Sequence, residues 1–118
     1  MQIETRLCDQ LERYLDLSVT QAKLTAQNMA NVDTPGYRTQ GFDFEAEMRK
    51  AFAGADANSR APIDVRPVDG LVSRPDGNNV SIDREGLRLA EAQLKFRTGV
   101  ALMRLENQRV MDAIHADK

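Results

Sequence analysis

Read for the spacing of its apolar positions, the chain divides into a helix, an irregular middle and a second, longer helix. Between about Ile3 and Ala30 hydrophobic residues recur with helical spacing. At roughly 100° per residue, Leu7, Leu11, Tyr14, Ser18, Ala22, Thr25 and Met29 fall on one stripe. Asp9, Glu12, Asp16, Lys23 and Gln27 fall opposite, and no Gly or Pro interrupts the run, so an amphipathic helix is predicted. From about Gly36 to Asn79 the helix breakers accumulate: Pro62, Pro67 and Pro75 with Gly41, Gly54, Gly70 and Gly77. Phe42 to Phe52 fits a short helical turn. Ile63-Asp64-Val65-Arg66 alternates like a strand, Asp69-Gly70 before Leu71-Val72 fits a small hairpin, and Pro67 would confine such a strand to an edge.

The second helix opens at Ser81, a good N-cap, with Asp83 and Glu85 in the first turn, where the helix dipole prefers acids. It runs to about His115, roughly 34 residues or about 50 Å at a rise of about 1.5 Å per residue. Gly86 and Gly99 weaken it slightly. Its projection shows two apolar stripes. Leu89, Ala92, Phe96, Val100, Met103, Val110 and Ile114 form one; Leu87, Leu94, Ala101 and Leu105 form another, nearly opposite. Arg97 and Arg104 lie between them on one flank, Arg88, Lys95 and Glu106 on the other. Two opposed stripes imply partners on both sides. The first helix covers one. The other is left open unless the middle segment folds back over it, and that segment is poor in large apolar residues, which points to assembly.

The expected fold is therefore mainly α: two long terminal helices forming an antiparallel coiled-coil-like hairpin, with a small irregular or short-β insert. One domain, 1–118, divides into a helix over 3–30, a junction and insert over 31–80, and a helix over 81–115.

Composition narrows the function. The 118 residues are 42% hydrophobic and 5% aromatic with no Trp, which suits an aliphatic helical core. A net charge of -2 gives no case for nucleic acid, which needs clustered positive charge. Cys8 is the sole cysteine, so internal disulfides and cysteine-based zinc clusters are excluded, and its helical setting suits a small core residue. No apolar run reaches the roughly 18 residues of a membrane span. Glu4, Arg6, Asp9, Glu12, Arg13 and Asp16 leave no apolar core for a cleavable signal, so export would need a route that does not cut the N-terminus. For catalysis, the sole histidine, His115, stands at a helix end where capping is its natural role. Asp43, Glu45 and Glu47 read as a solvated acidic patch, and there is no Gly-rich phosphate loop. Neither an enzyme nor a cofactor or small-molecule site is expected.

Between the first helix and the middle lies Asn28-Met29-Ala30-Asn31-Val32-Asp33-Thr34-Pro35-Gly36-Tyr37. Asn31 is one of the few non-glycine residues that accept a left-handed C-cap. Thr34-Pro35-Gly36-Tyr37 has the Pro and Gly placement of a type II turn, with Tyr37 set as a packing anchor. The whole motif, Asn-x-Ala-Asn-x-x-Thr-Pro-Gly-Tyr after an amphipathic helix, resembles the signature of flagellar axial proteins. Phe42-Asp43-Phe44-Glu45, the lead-in Val80-Ser81-Ile82-Asp83-Arg84-Glu85 and the short length are similar to the FlgB family of proximal rod proteins. Phe96 stands where that family suggests Tyr, and Gly41 where it suggests an acid.

The resemblance implies a structural subunit of the flagellar basal-body rod, exported by the flagellar type III apparatus without a cleaved signal peptide. Such subunits polymerise through their terminal helices into the periplasmic proximal rod, which transmits torque. Implied partners are further copies, other rod proteins and the basal-body adaptor at the rod base. Leu7, Leu11, Leu15, Leu87, Leu94, Phe96, Leu105 and Ile114 are the expected assembly contacts. Asn28, Asn31, Thr34, Pro35, Gly36 and Tyr37 would fix the turn that orients the insert. The alternative is a cytosolic helical adaptor that binds one partner through the exposed stripe.

Overall fold

The computed structural model describes residues 2–54 and 61–116, with side chains from residue 6 onward. Met1, residues 55–60 and the last two residues of the expected 1–118 domain lie outside the described residues. The order of elements is α1 (Gln2–Ala30), β1 (Gln40–Gly41), α2 (Phe44–Ala53), β2 (Arg66–Pro67) and α3 (Ile82–Ala116). The mainly helical fold and the pairing of the two long helices are as expected. The molecule is a rod of 68 × 25 × 17 Å, of whose length α3 spans about 52 Å.

Helices α1 and α3 run antiparallel. The inner line of α3 is Glu85, Ala92, Gly99 and Glu106, buried at intervals of one heptad, the spacing that keeps a seam facing a neighbouring helix. Small residues in its middle let the helices approach closely. A Cβ on Gly99 would lie 2.6 Å from Leu15 Cδ2 and 3.0 Å from Tyr14 Cδ1, so Gly99 is a packing requirement rather than only a weak point of the helix. Of the apolar stripe, Ala92 lies on this line, and Leu89, Val100, Met103 and Val110 are half-buried beside it. Ser81 caps α3 as expected: its Oγ accepts from Arg84 N and its carbonyl from Glu85 N.

The insert packs on α1 and leaves most of α3 uncovered. Asp43 caps α2 by accepting from Ala46 N, which turns the expected short helical turn into a ten-residue helix. Tyr14 meets the Phe44 ring edge-on at 5.5 Å, and Phe44 also lies under Lys95 Nζ at 3.9 Å. Leu17 is fully buried. Glu47 is buried too, against the expectation of a solvated patch. It pairs with Arg13 at 3.5 Å, and its Oε1 accepts from Lys50 Nζ and Asp64 N. Arg13 also donates to Ala61 O, so one buried ion pair ties α1, α2 and the segment after it together.

The strand expectations need correction. The hairpin of Ile63–Arg66 with Leu71–Val72 does not form. Instead β2 pairs antiparallel with β1, Gln40 opposite Pro67 and Gly41 opposite Arg66. Val68 N then donates to Thr39 O at 2.9 Å. The junction strand has thus taken the bonding edge, and Val72 is left 89% exposed. Pro67 does stand at an edge, where its missing N–H costs least.

Two glycine substitutions test the seam in opposite senses. Gly99→Val overpacks it and should lower unfolding stability by about 1–3 kcal/mol. Gly86 meets nothing within 4 Å, so Gly86→Ala should raise it by about 0.5–1 kcal/mol. Urea unfolding followed by circular dichroism reads both.

Candidate functional site

The end of α1 is organised by one side chain. Asn28, 1% exposed, donates through Nδ2 to Gln40 O at 2.9 Å and to Glu85 Oε2 at 3.2 Å. Its Oδ1 accepts from Tyr37 Oη at 2.9 Å and from Gln40 N at 3.0 Å. The amide therefore pairs with the Gln40 backbone as a neighbouring strand would, while holding the phenol and the first turn of α3. All four of its hydrogen-bonding sites are used.

Chain reversal follows at once. Asn31 does not adopt the left-handed conformation expected of it, since no non-glycine described residue has positive φ. Its side chain does the capping instead: Nδ2 donates to Gln27 O at 2.8 Å, and Oδ1 accepts from Thr34 Oγ1 at 3.0 Å. That satisfies a helix-end carbonyl without the steric cost of a left-handed Cβ. Thr34-Pro35-Gly36-Tyr37 closes with Tyr37 N donating to Thr34 O at 3.2 Å and Gly36 at φ +75°, the geometry of a type II turn.

A second turn locks this one. Arg74-Pro75-Asp76-Gly77 closes with Gly77 N donating to Arg74 O, Gly36 N donates to Asp76 O at 2.9 Å, and the Arg74 guanidinium reaches Val32 O. Asn78 donates to Asn31 O and Thr34 O and accepts from Val80 N. Asn79 Oδ1 accepts from both Thr39 N and Thr39 Oγ1. Thr39, Asn78, Asn79 and Glu85 are all buried. The sequence reading missed this polar cluster, because a pair of asparagines in a breaker-rich loop has the composition of an ordinary turn.

Burial of the Tyr37 phenol and, second, the nearby negative charge of Glu85 raise its pKa above the ordinary 10.0. The neutral phenol is the form that the fold prefers.

The expected assembly residues separate into groups. Leu87, Leu94 and Leu105 are 63%, 67% and 64% exposed and lie along one face of α3. With exposed Ala101 and Leu102 they make an open apolar strip about 27 Å long. The described residues of the insert do not cover it. Phe96 and Ile114 are also exposed but belong to the edge and far end of the face turned to α1. Leu7 is exposed, whereas Leu11 is buried and Leu15 packs where Gly99 leaves room; those two hold the hairpin together. Beside the insert lies an open groove lined by Gln21, Thr25, Phe44, Arg66, Arg88 and Lys95. Its cations are engaged: Arg66 with Asp64, Arg88 with Glu91, and Lys95 with Gln21 and the Phe44 ring. No helix among the described residues is long and apolar enough to cross a membrane.

A helical hairpin that leaves an apolar helix face open belongs to the class of structural interaction proteins. The chain is 31% identical to the flagellar basal body rod protein FlgB of Borreliella burgdorferi, over 77% of this chain and 82% of that one. It is 32% identical to the FlgB of Borrelia hermsii, over 75% and 80% of the two chains. With the FlgB of Salmonella typhimurium it shares 27% identity over 85% and 86%. No family model matches the chain. At these identities and coverages, the chain belongs to the flagellar basal body rod protein FlgB family.

Replacing Asn28 with Leu strands the Gln40 backbone groups and Oε2 of Glu85, whose Oε1 stays with Arg84. It should destabilise the fold by roughly 2–4 kcal/mol, against about 1 kcal/mol for Tyr37→Phe. The raised Tyr37 pKa adds a pH signature. Its contribution is complete below the unfolded pKa near 10 and is lost as pH rises through the higher folded value. Tyr37→Phe should therefore flatten part of the alkaline fall in stability, read by urea midpoints between about pH 8 and 11.

Proposed function

We propose that this chain is a structural subunit of the flagellar basal-body rod that polymerises through the open strip of α3. The strip carries the reading. Three leucines more than three-fifths exposed on a single helix face make a surface that soluble monomers seldom keep bare. The described part of the insert lies against α1 instead. Leu87, Leu94 and Leu105 form the centre of the contact. Leu7, Phe96 and Ile114 extend it at the edges, and Leu11 and Leu15 act by holding the hairpin in shape.

The subunit leaves the cytoplasm unfolded through the flagellar type III export apparatus, without a cleaved signal peptide. It assembles in the periplasm with its own copies and other rod proteins, above the basal-body adaptor. The junction supports this role mechanically. Asn28, Asn31, Thr34, Pro35, Gly36 and Tyr37 fix the insert against α1, so that every subunit offers its neighbours one shape and torque passes through it without slack.

Leu94→Asp and Leu105→Asp should each abolish incorporation into rods while leaving export intact, because a charge would be desolvated in the contact. Quantification of the protein in purified basal bodies, with motility alongside, decides it; normal rods from both variants would refute the assembly role of the strip. Exchanging Pro35-Gly36 for Ala-Ala loads the turn with positive-φ strain of about 1 kcal/mol or more. It should lower basal-body yield, and an unchanged yield would show the turn to be tolerant.

A further inference from the structure

The side of α1 turned away from both α3 and the insert has its own pattern. Glu12, Asp16, Val19, Lys23, Ala26 and Gln27 are exposed along it, with Asp9 partly so. Among the described residues the carboxylates of Asp9, Glu12 and Asp16 make no ion pair, and neither do Arg97 and Arg104, which flank the open strip on α3. One surface therefore holds three unpaired acids and a single unpaired cation, Lys23, beside small apolar side chains, a net negative face, and the other holds unpaired guanidiniums beside leucines.

The register of the hairpin relates the two surfaces. Asn28 bonds to Glu85, and Leu15 packs at Gly99. Two antiparallel helices of equal rise carry that level along their length. Val19 then stands level with Leu94, Ala26 with Leu87, Asp16 with Arg97 and Asp9 with Arg104. The two acids are about 10 Å apart along α1, and the two arginines are the same distance apart along α3.

From this match we propose that the occupant of the α3 strip is the outer face of α1 from a second copy, laid antiparallel to α3. The proposal rests on the reading of the strip as an assembly contact. Val19 and Ala26 of the second copy lie on Leu94 and Leu87, while Asp16 and Asp9 reach Arg97 and Arg104. Two strips facing each other would instead gather the arginines of both copies in one seam, and like charges brought together across a contact oppose it. The contact joins two different surfaces, so it leaves a free strip on one copy and a free α1 face on the next. Such heterologous contacts extend into rings or filaments rather than stopping at a dimer. Each step repeats the order already present inside the subunit, α1 beside α3 beside the next α1, with the long axes parallel.

Leu94→Asp first reports whether the strip is an assembly contact at all; normal rods from it would remove the reading on which the proposal stands. With that loss established, Asp16→Arg and Arg97→Glu should each lower basal-body yield several-fold, and the chain carrying both should recover it. Single reversals without effect, or a double variant no better than either single, would overturn the α1 occupant and leave the strip reading in place. A second measurement does not depend on yield. A chain with Cys8→Ser, Val19→Cys and Leu94→Cys, oxidised in intact basal bodies, should give a ladder of cross-linked multimers. Dimers formed by Leu94→Cys without Val19→Cys would mean paired strips and overturn the proposal, as would cross-links to another rod protein or no ladder at all.

Discussion

A side-chain amide offers two donors and two acceptor sites, and at Asn28 the fold depends on all four being met inside the protein. The end of α1, the strand at Gln40, the phenol of Tyr37 and the first turn of α3 come to that one group. Buried amides are costly when half satisfied and specifying when fully satisfied. A leucine of similar volume would fill the space, but it would not tell the chain which backbone to place beside it. Asn28 sets the level at which α3 begins against α1, and every contact further along the hairpin inherits that level. The spacing of Leu15 at Gly99 and the heptad of buried positions on α3 follow from it.

The two faces of α3 are built by different rules. Its inner line is narrow, with Ala92 and Gly99 admitting α1 closely and Glu85 held by Asn28 and Arg84. Its outer face is broad and greasy, with leucines left mostly exposed. A heptad spacing on both faces suits a helix that lies nearly parallel to a neighbour on each side. The insert is consistent with this division of labour. It is anchored to α1 by the Arg13–Glu47 pair and by Tyr14 against Phe44, so the subunit gains stiffness without losing the free face of its longest helix.

Periodicity made the long helices legible from the sequence, because one azimuth calculation separates buried from solvated positions over many turns. The same arithmetic found the open strip, since Leu87, Leu94 and Leu105 stay on one face whatever covers them. What remained hidden was polar. Glu85 read as an acid favoured by the helix dipole and Glu106 as a charge on the flank between stripes, yet both are buried on the inner line. Asn31 read as a backbone cap and proved to be a side-chain cap. The pairing of β1 with β2 was out of reach for a more basic reason. Each strand has two residues, too few for alternation to show, and side chains supply much of the bonding: Asn28 pairs with Gln40, and Asn79 with Thr39. Pairings made through side chains leave no periodic trace.

Polar satisfaction is uneven along the hairpin. At the junction end every buried amide is matched. Towards the other end Glu106 is 6% exposed, its Oε2 lies 3.7 Å from Arg109, and its Oε1 has no hydrogen-bond partner among the described residues. An unmatched buried acceptor costs about 1–3 kcal/mol, a large share of what holds a two-helix seam over a few turns. Local opening is cheapest where such debts accumulate. Among the described residues the junction end of the hairpin is thus the better matched of the two in its buried polar groups. The register is fixed where the matching is complete, by the Asn28–Glu85 bond, and the heptad of small residues carries it along the seam.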